Sequence, residues 1–452
     1  MRLRYINFQK ILAATVLFIS AWNTTLPIAS ATEIPWFLRP IQVIYGISIE
    51  QFIFILILPS IILTNQFKYY STNRYTYTIA ILFWFLGIDG IFSNCFNFVN
   101  LFEIGEAIRL ILFGFFLIWL ERCAKRFGIR FCFNCVIFGL TMGGTVNIYF
   151  SFQINNGIVG ILPLLIGQAG PGPPLGLLVI ICAIAFSITK KTFLKVIYIF
   201  ACLIGVYGGI ASWSKISLLI IAVGLIPWSV LIICELIKTR FAKFILTLFI
   251  CSIVLLSQNN LLFSETRDSV YQIISTKLSS EDHDLDDPDS KIWGERFVFH
   301  IAVLEIVARH PILGVGYAGF GAAFKETDAS KMKHAYVDES DQIQSSQANP
   351  HSTWLYYASA NGLPGFVIVF FLMLNISIVV YKSCQLAPHA GRTIGSAMIT
   401  AIFIWSISVP DILQSCLLLS LVGIACATPR RTAYLAVQMK QDRDEDPPLM
   451  RN

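Results

Sequence analysis

The feature that most limits this chain is a series of apolar runs, each long enough, or nearly so, to cross about 30 Å of hydrocarbon. They fall at 11–22, 41–63, 76–94, 103–120, 131–150, 174–189, 194–212, 216–234, 242–257, 353–381, 393–409 and 412–427. In lipid no water is at hand to satisfy a stray N–H or C=O, and the runs are too long for barrel strands, so helices are the only plausible form. The spacing predicts an all-α polytopic integral membrane protein with about twelve transmembrane helices and one large loop. Charged residues make up 13% of the chain, against about 25% for a soluble domain. That shortfall excludes a soluble globular protein of this length.

Basic residues set the orientation. Counted over alternate loops, 22 of the 33 Lys and Arg fall on the side that holds both termini, and Arg109 lies within a run. The positive-inside rule therefore puts both termini in the cytoplasm and residues 258–352 on the far face, the periplasm in a bacterium. The expected organisation is a first transmembrane bundle at 1–257 with about nine spans and a periplasmic loop with short helices at 258–352. Terminal spans follow at 353–427, about three of them, and a cytoplasmic tail at 428–452. Residues 1–31 also have the shape of a signal peptide, with Ala29-Ser30-Ala31 as a cleavage site; an uncleaved first span is the preferred reading. None of the eleven Cys lies between 252 and 383, so disulfides do not staple the loop. Cys132 and Cys135 form a CxxC with no second pair or His nearby, which suits membrane-helix cysteines better than a metal site.

The loop holds 15 of the 27 carboxylates. Asp282, Asp284 and Asp286 have the first spacing of a calcium loop, but Asp287 stands where Gly is needed and Trp293 where Glu is needed. A solvated acidic stretch is the better reading. Residues 296–309 predict a helix about 21 Å long, too short to span and suited to the interface. Arg296 and His300 share one face with Val303 and Val307; Glu305 and Arg309 pair on the other. A guanidinium opening an apolar helix beside a membrane calls for an anion. His310-Pro311 ends the helix, and Gly314, Gly316 and Gly319 predict a turn with close backbone approach.

His351 stands just before the next run, followed by Trp354, Tyr356 and Tyr357. An aromatic belt accounts for the rings without function, yet a neutral His can also accept a hydroxyl proton. Lys215 sits in a tight connection between two spans and suits a snorkelling anchor as well as a ligand. Glu106 and Arg109 lie three apart in the outer part of the fourth span, where charges pair or face a cavity. Asp89 and Glu50 are weaker candidates of that kind.

Arg296 leading an apolar helix to His310-Pro311-x-x-Gly314-x-Gly316 is similar to the central motif of the O-antigen ligase and Wzy-type polysaccharide polymerase superfamily. His351-Ser352-x-x-Leu355 and Gly362-Leu363-x-Gly365 resemble its His-Asn-x-x-Leu and Gly-Leu-x-Gly signature. Ser214-Lys215 after Gly208-Gly209 sits where that family has Ser-Arg-Gly. The likeness covers residues 205–380. It implies a C-type-like, metal-independent, inverting membrane glycosyltransferase that needs no cofactor. The donor it implies is a polyprenyl-diphosphate-linked glycan and the acceptor a sugar hydroxyl, on a glycan or another lipid-linked chain, at the periplasmic face of the bacterial inner membrane. His351 matches the position proposed to activate the acceptor; Arg296 and Lys215 match those proposed to hold the diphosphate. Arg109, Glu106 and His300 are candidates for lining the substrate cavity. Membrane lipids are implied partners, with polysaccharide-export or chain-length proteins as further candidates; nothing points to nucleic acid. A surface-polysaccharide polymerase is the preferred form, an O-antigen ligase acting on lipid A core or protein the alternative. A transporter or flippase of lipid-linked sugars is the non-enzyme competitor, and it would keep its essential charges near the midplane. Lys215 in place of Arg loses a bidentate fork, and Ser352 replaces the family's Asn.

Overall fold

The computed structural model describes residues 2–25, 42–44, 47–48, 72–97, 101–154, 171–212, 214–238, 288–317, 319–331, 350–385, 390–409 and 412–428. Its helices are α1 (Arg2–Thr25), α2 (Arg74–Phe96), α3 (Leu101–Phe127), α4 (Ile129–Ile154), α5 (Gly172–Ile188), α6 (Thr192–Ala211) and α7 (Lys215–Lys238). They continue with α8 (Pro288–Arg309), α9 (Gly319–Lys325), α10 (Thr353–Cys384), α11 (Gly391–Ser406) and α12 (Cys416–Ala427). Single 3-10 turns lie at Ala329–Lys331 and Ile412–Gln414. Among the described residues five helices, α2, α4, α6, α7 and α10, carry stretches long and apolar enough to cross a membrane, and α5 and α12 are shorter apolar helices.

The start of one expected span is corrected. Within 41–63, Gln42–Ile44 (β1) and Ile47–Ser48 (β2) pair as a small antiparallel ladder, with Ile44 opposite Ile47. The β-branched Val43, Ile44 and Ile47 around Gly46 suit a tight hairpin better than a helix. The rest of that run, including Glu50, and the run at 242–257 lie outside the described residues, as do the acidic stretch 281–287 and the tail beyond 428.

The helix α5 is apolar all round and buried from Gly172 to Ala185, so it forms the centre of the bundle. It packs against α6 and α7, while α2 packs on α3, α1 on α4, α10 on α2, α11 on α7 and α12 on α3. Small residues set the closest approaches. A Cβ at Gly87 would stand 2.6 Å from the Ala107 carbonyl oxygen, and one at Gly423 2.7 Å from Leu120 Cβ. Outward faces carry Phe85, Phe92, Phe193, Phe200, Phe370 and Phe371, all exposed, as lipid contact requires.

The two ends of the bundle differ in chemistry. At one end Arg126 donates to Gln9, Arg122 to Thr72 and Arg130 to the Ile188 carbonyl, and Lys382 lies over the Tyr75 ring. Glu121, fully buried there, is 2.6 Å from Lys125 Nζ and accepts from the Asn73 N–H at 2.8 Å. That pairing is what permits a buried carboxylate. The Asn73 side chain also donates to the Cys426 carbonyl, so one residue joins α2, α3 and α12. The helix directions then bring the starts of α3, α7 and α10 and the ends of α2, α6 and α11 to the opposite end.

Candidate functional site

At that opposite end the two glycine motifs interlock. The helix α8 runs 22 residues from Pro288, longer than the sequence predicts, with Pro in the first turn where its missing N–H costs nothing. Arg296 is thus two turns inside the helix and does not open it. After His310 the chain turns through Gly314 (φ 62°) and Gly316 (φ 81°). It meets a break in α10 at Gly362 (φ 69°, ψ −161°), just before Pro364. In an unbroken helix the Ser359 and Ala360 carbonyls would accept from the N–H of residues 363 and 364. Leu363 instead donates to the Pro311 carbonyl at 2.8 Å, and Pro364 has no N–H. The two carbonyls are taken up by Val315 N and Gly316 N, both at 2.9 Å. Each motif therefore satisfies the backbone groups the other frees.

Side chains of α2 seal this clasp. Ser93 Oγ lies 2.7 Å from the Ala360 carbonyl oxygen and also contacts that of Leu313. Asn94 accepts from Tyr317 N at 3.0 Å, and Asn97 donates to the Gly314 carbonyl at 3.2 Å. Below them Asn361, fully buried, donates to Asp89 at 3.2 Å. The sequence reading singled out Asp89 and missed Ser93, Asn94 and Asn97; polar residues clustered in the last turns of an apolar helix were the available signal.

His351 enters the site with φ 48°, the one positive φ outside glycine among the described residues. Its half-buried ring lies 6.3 Å from Phe299 of α8, centroid to centroid. Phe299, Ala302, Val303 and Ile306 form a small core with Val315, Phe320, Phe324 and Ala358. Arg296 is one turn before Phe299 on α8; His300 is the residue after Phe299 and half-buried. Thr353 and Trp354 fix the start of α10. Thr353 Oγ1 donates to the Val409 carbonyl at 2.7 Å, and Trp354 Nε1 to Ser406 at 2.9 Å.

Glu106 meets the same turn from α3, accepting from the Tyr356 hydroxyl at 2.8 Å. Tyr356 stacks on Tyr317, ring centroids 6.0 Å apart. Arg109 is one turn further along α3 and half-buried. Lys215 begins α7 at the same end of the bundle, on a helix that packs against α5, α6 and α11. Glu305 and Arg309 do more than pair. Glu305 accepts from Asp328 N at 2.7 Å and Ala329 N at 3.1 Å, capping the 3-10 turn, while Arg309 donates to the Glu326 carbonyl at 2.7 Å.

A half-buried imidazole, a helix carrying Arg296 and a carboxylate–tyrosine pair, all at one end of an apolar bundle, define a membrane-embedded polar site. Residues 200–370, which hold both glycine motifs, Lys215, Arg296, His300, His351 and Tyr356 but not Asp89, Ser93, Asn94, Asn97, Glu106 or Arg109, match the family model described as O-antigen ligase. The match is consistent with the O-antigen ligase and polymerase superfamily and supports a membrane glycosyltransferase-like role in polysaccharide assembly. No curated protein matches the chain.

Proposed function

We propose that this protein transfers a glycan from a polyprenyl-diphosphate carrier to a sugar hydroxyl at the periplasmic face of the inner membrane, as a surface-polysaccharide polymerase. The observation that carries this reading is the clasp within the family-matched region, which sets His351 against the helix that bears Arg296. The imidazole of His351 takes the proton of the acceptor hydroxyl. The acceptor oxygen then bonds to the anomeric carbon from the face opposite the leaving group, and the anomeric C–O bond to phosphate breaks with inversion. The diphosphate departs with that electron pair. Arg296 and Lys215 hold the charge it gathers, so no metal is required. His300 and Arg109 line the approach for the donor. The basic end of the bundle is cytoplasmic and the clasp end periplasmic.

A broken helix beside an intramembrane carboxylate is also a transporter's device. Here the backbone groups freed at Gly362 are met by Pro311, Val315 and Gly316, so the break closes on protein backbone. Deleting the gene and analysing lipid-linked intermediates tests the proposal. Accumulated single repeats are expected; long lipid-linked chains would mark a ligase, and unchanged outer-face intermediates would overturn the enzyme reading. His351→Ala should abolish transfer with protein retained in the membrane, and normal polymer from that variant would overturn the mechanism.

A further inference from the structure

The basic end of the bundle, away from the clasp, holds a cluster of cations with no part in the chemistry above. Arg130, exposed in the first turn of α4, reaches the connection between α5 and α6 and donates to the Ile188 carbonyl at 2.7 Å. Lys190 and Lys191, both exposed, follow in that connection, and Lys191 caps α6 without a side-chain hydrogen bond. Tyr198 donates to Asn134 at 2.7 Å, so the starts of α4 and α6 run side by side. A helix favours acids in its first turn, where the positive end of its dipole lies. Neither α4 nor α6 has one there, and both open beside cations. No carboxylate offsets the charge. Residues 122–234 contain no Asp or Glu, and no acid pairs with Arg130, Lys190 or Lys191 among the described residues. Between Ile188 and Lys190 the Thr189 side chain, 4% exposed, has a hydroxyl with no hydrogen-bond partner. The positive-inside rule explains why cations stand at this end. It does not explain why three gather on two helix starts without a counter-charge, whereas an anion bound among them does. Beside them α6 turns an apolar face outward, with Phe193, Val196, Ile197, Phe200 and Leu203 all exposed. These positions recur at helical spacing, so the stripe runs from the cations into the hydrocarbon.

We propose that Arg130, Lys190 and Lys191 bind the phosphate of an anionic phospholipid, whose acyl chains lie along the outer face of α6 at 193–203. Two features favour a lipid over a soluble phosphate. Lys190 and Lys191 stand at the start of a helix apolar enough to span, and the exposed stripe continues directly from them. A zwitterionic headgroup carries a cation of its own and brings no net charge to the cluster. The site is independent of the transfer reaction and lies at the end of the bundle away from His351.

Lipid binding by the purified full-length protein in a neutral detergent, followed by native mass spectrometry, tests this. Wild-type protein should hold phosphatidylglycerol more tightly than phosphatidylcholine. Lys190→Gln combined with Lys191→Gln removes two cations and should weaken phosphatidylglycerol by roughly 10- to 30-fold, with phosphatidylcholine unchanged. Arg122→Gln combined with Lys382→Gln removes as many cations from the same end, on α3 and α10, and should leave phosphatidylglycerol unchanged. Equal losses in the two double variants would mean a diffuse basic surface and overturn the site. Wild-type protein that holds the two lipids alike would overturn it as well. Inorganic phosphate should not displace the bound lipid; displacement would assign the cations to a soluble anion and overturn the lipid. The mechanism is judged separately, by whether His351→Ala still makes polymer.

Discussion

At the residue scale, the left-handed backbone of His351 separates two consequences of changing it. Holding a non-glycine residue at φ 48° costs on the order of 1–3 kcal/mol. Asn tolerates that conformation better than Ala does. His351→Asn should therefore match the wild type in thermal stability and still lack transfer, which a melting curve and a polymer assay on one preparation would check. Transfer retained by His351→Asn would remove the proton-acceptor role. Gly362 gives a contrast in which the backbone is the whole effect. Its φ is 69°, and a Cβ there would stand 2.7 Å from the Pro311 carbonyl oxygen. Gly362→Ala should cost at least about 2 kcal/mol and lower folded yield. Gly105→Ala, where nothing lies within 4 Å of the added carbon, should be neutral or stabilising by up to about 1 kcal/mol. Equal yields of the two variants, measured as monodisperse protein after extraction, would show that the clasp does not hold the fold.

At the scale of elements, the break in α10 and the turn after α8 are one feature shared between two segments. Neither is stable alone: the Ser359 and Ala360 carbonyls need the N–H groups of Val315 and Gly316, and Leu363 N needs Pro311. Ser93 adds a hydroxyl to this exchange, so Ser93→Ala should destabilise by about 1–3 kcal/mol through an under-satisfied buried carbonyl. A melting temperature equal to that of wild type would refute this. The 3-10 turn at Ala329–Lys331 depends on Glu305, which accepts from two backbone N–H groups at its start. Glu305→Ala should cost about 1 kcal/mol, as lost caps do, and speed proteolysis between 325 and 331 with little change in transfer. An unaltered digestion rate would leave Glu305 as an ordinary surface acid. The sequence made α8 legible as an interfacial helix but set its start too late. Pro288 and the acidic residues before it read as loop, and a Pro in the first turn is compatible with either state.

At the scale of the whole molecule, the concentration of Arg122, Lys125, Arg126, Arg130 and Lys382 at the end opposite the clasp predicts the orientation. Phosphatase fused after residue 340 should be active, and phosphatase fused at the C-terminus inactive. The reverse pattern would invert the orientation and put the site on the cytoplasmic face. Apolar runs are local properties of the chain, and they determined that it is helical and where most of the described helices lie. The family likeness was equally legible, because its motifs are short and ordered along the sequence. What only the tertiary structure decided is why those motifs occur together. Gly314 and Gly362 lie 48 positions apart, and nothing local says that their backbones exchange hydrogen bonds. Ser93, Asn94 and Asn97 drew no reading from the sequence, and Glu106 stood there only as a charge that could pair or face a cavity. Their roles depend on partners far along the chain, which are brought near only when lipid and burial force every freed backbone group to find one.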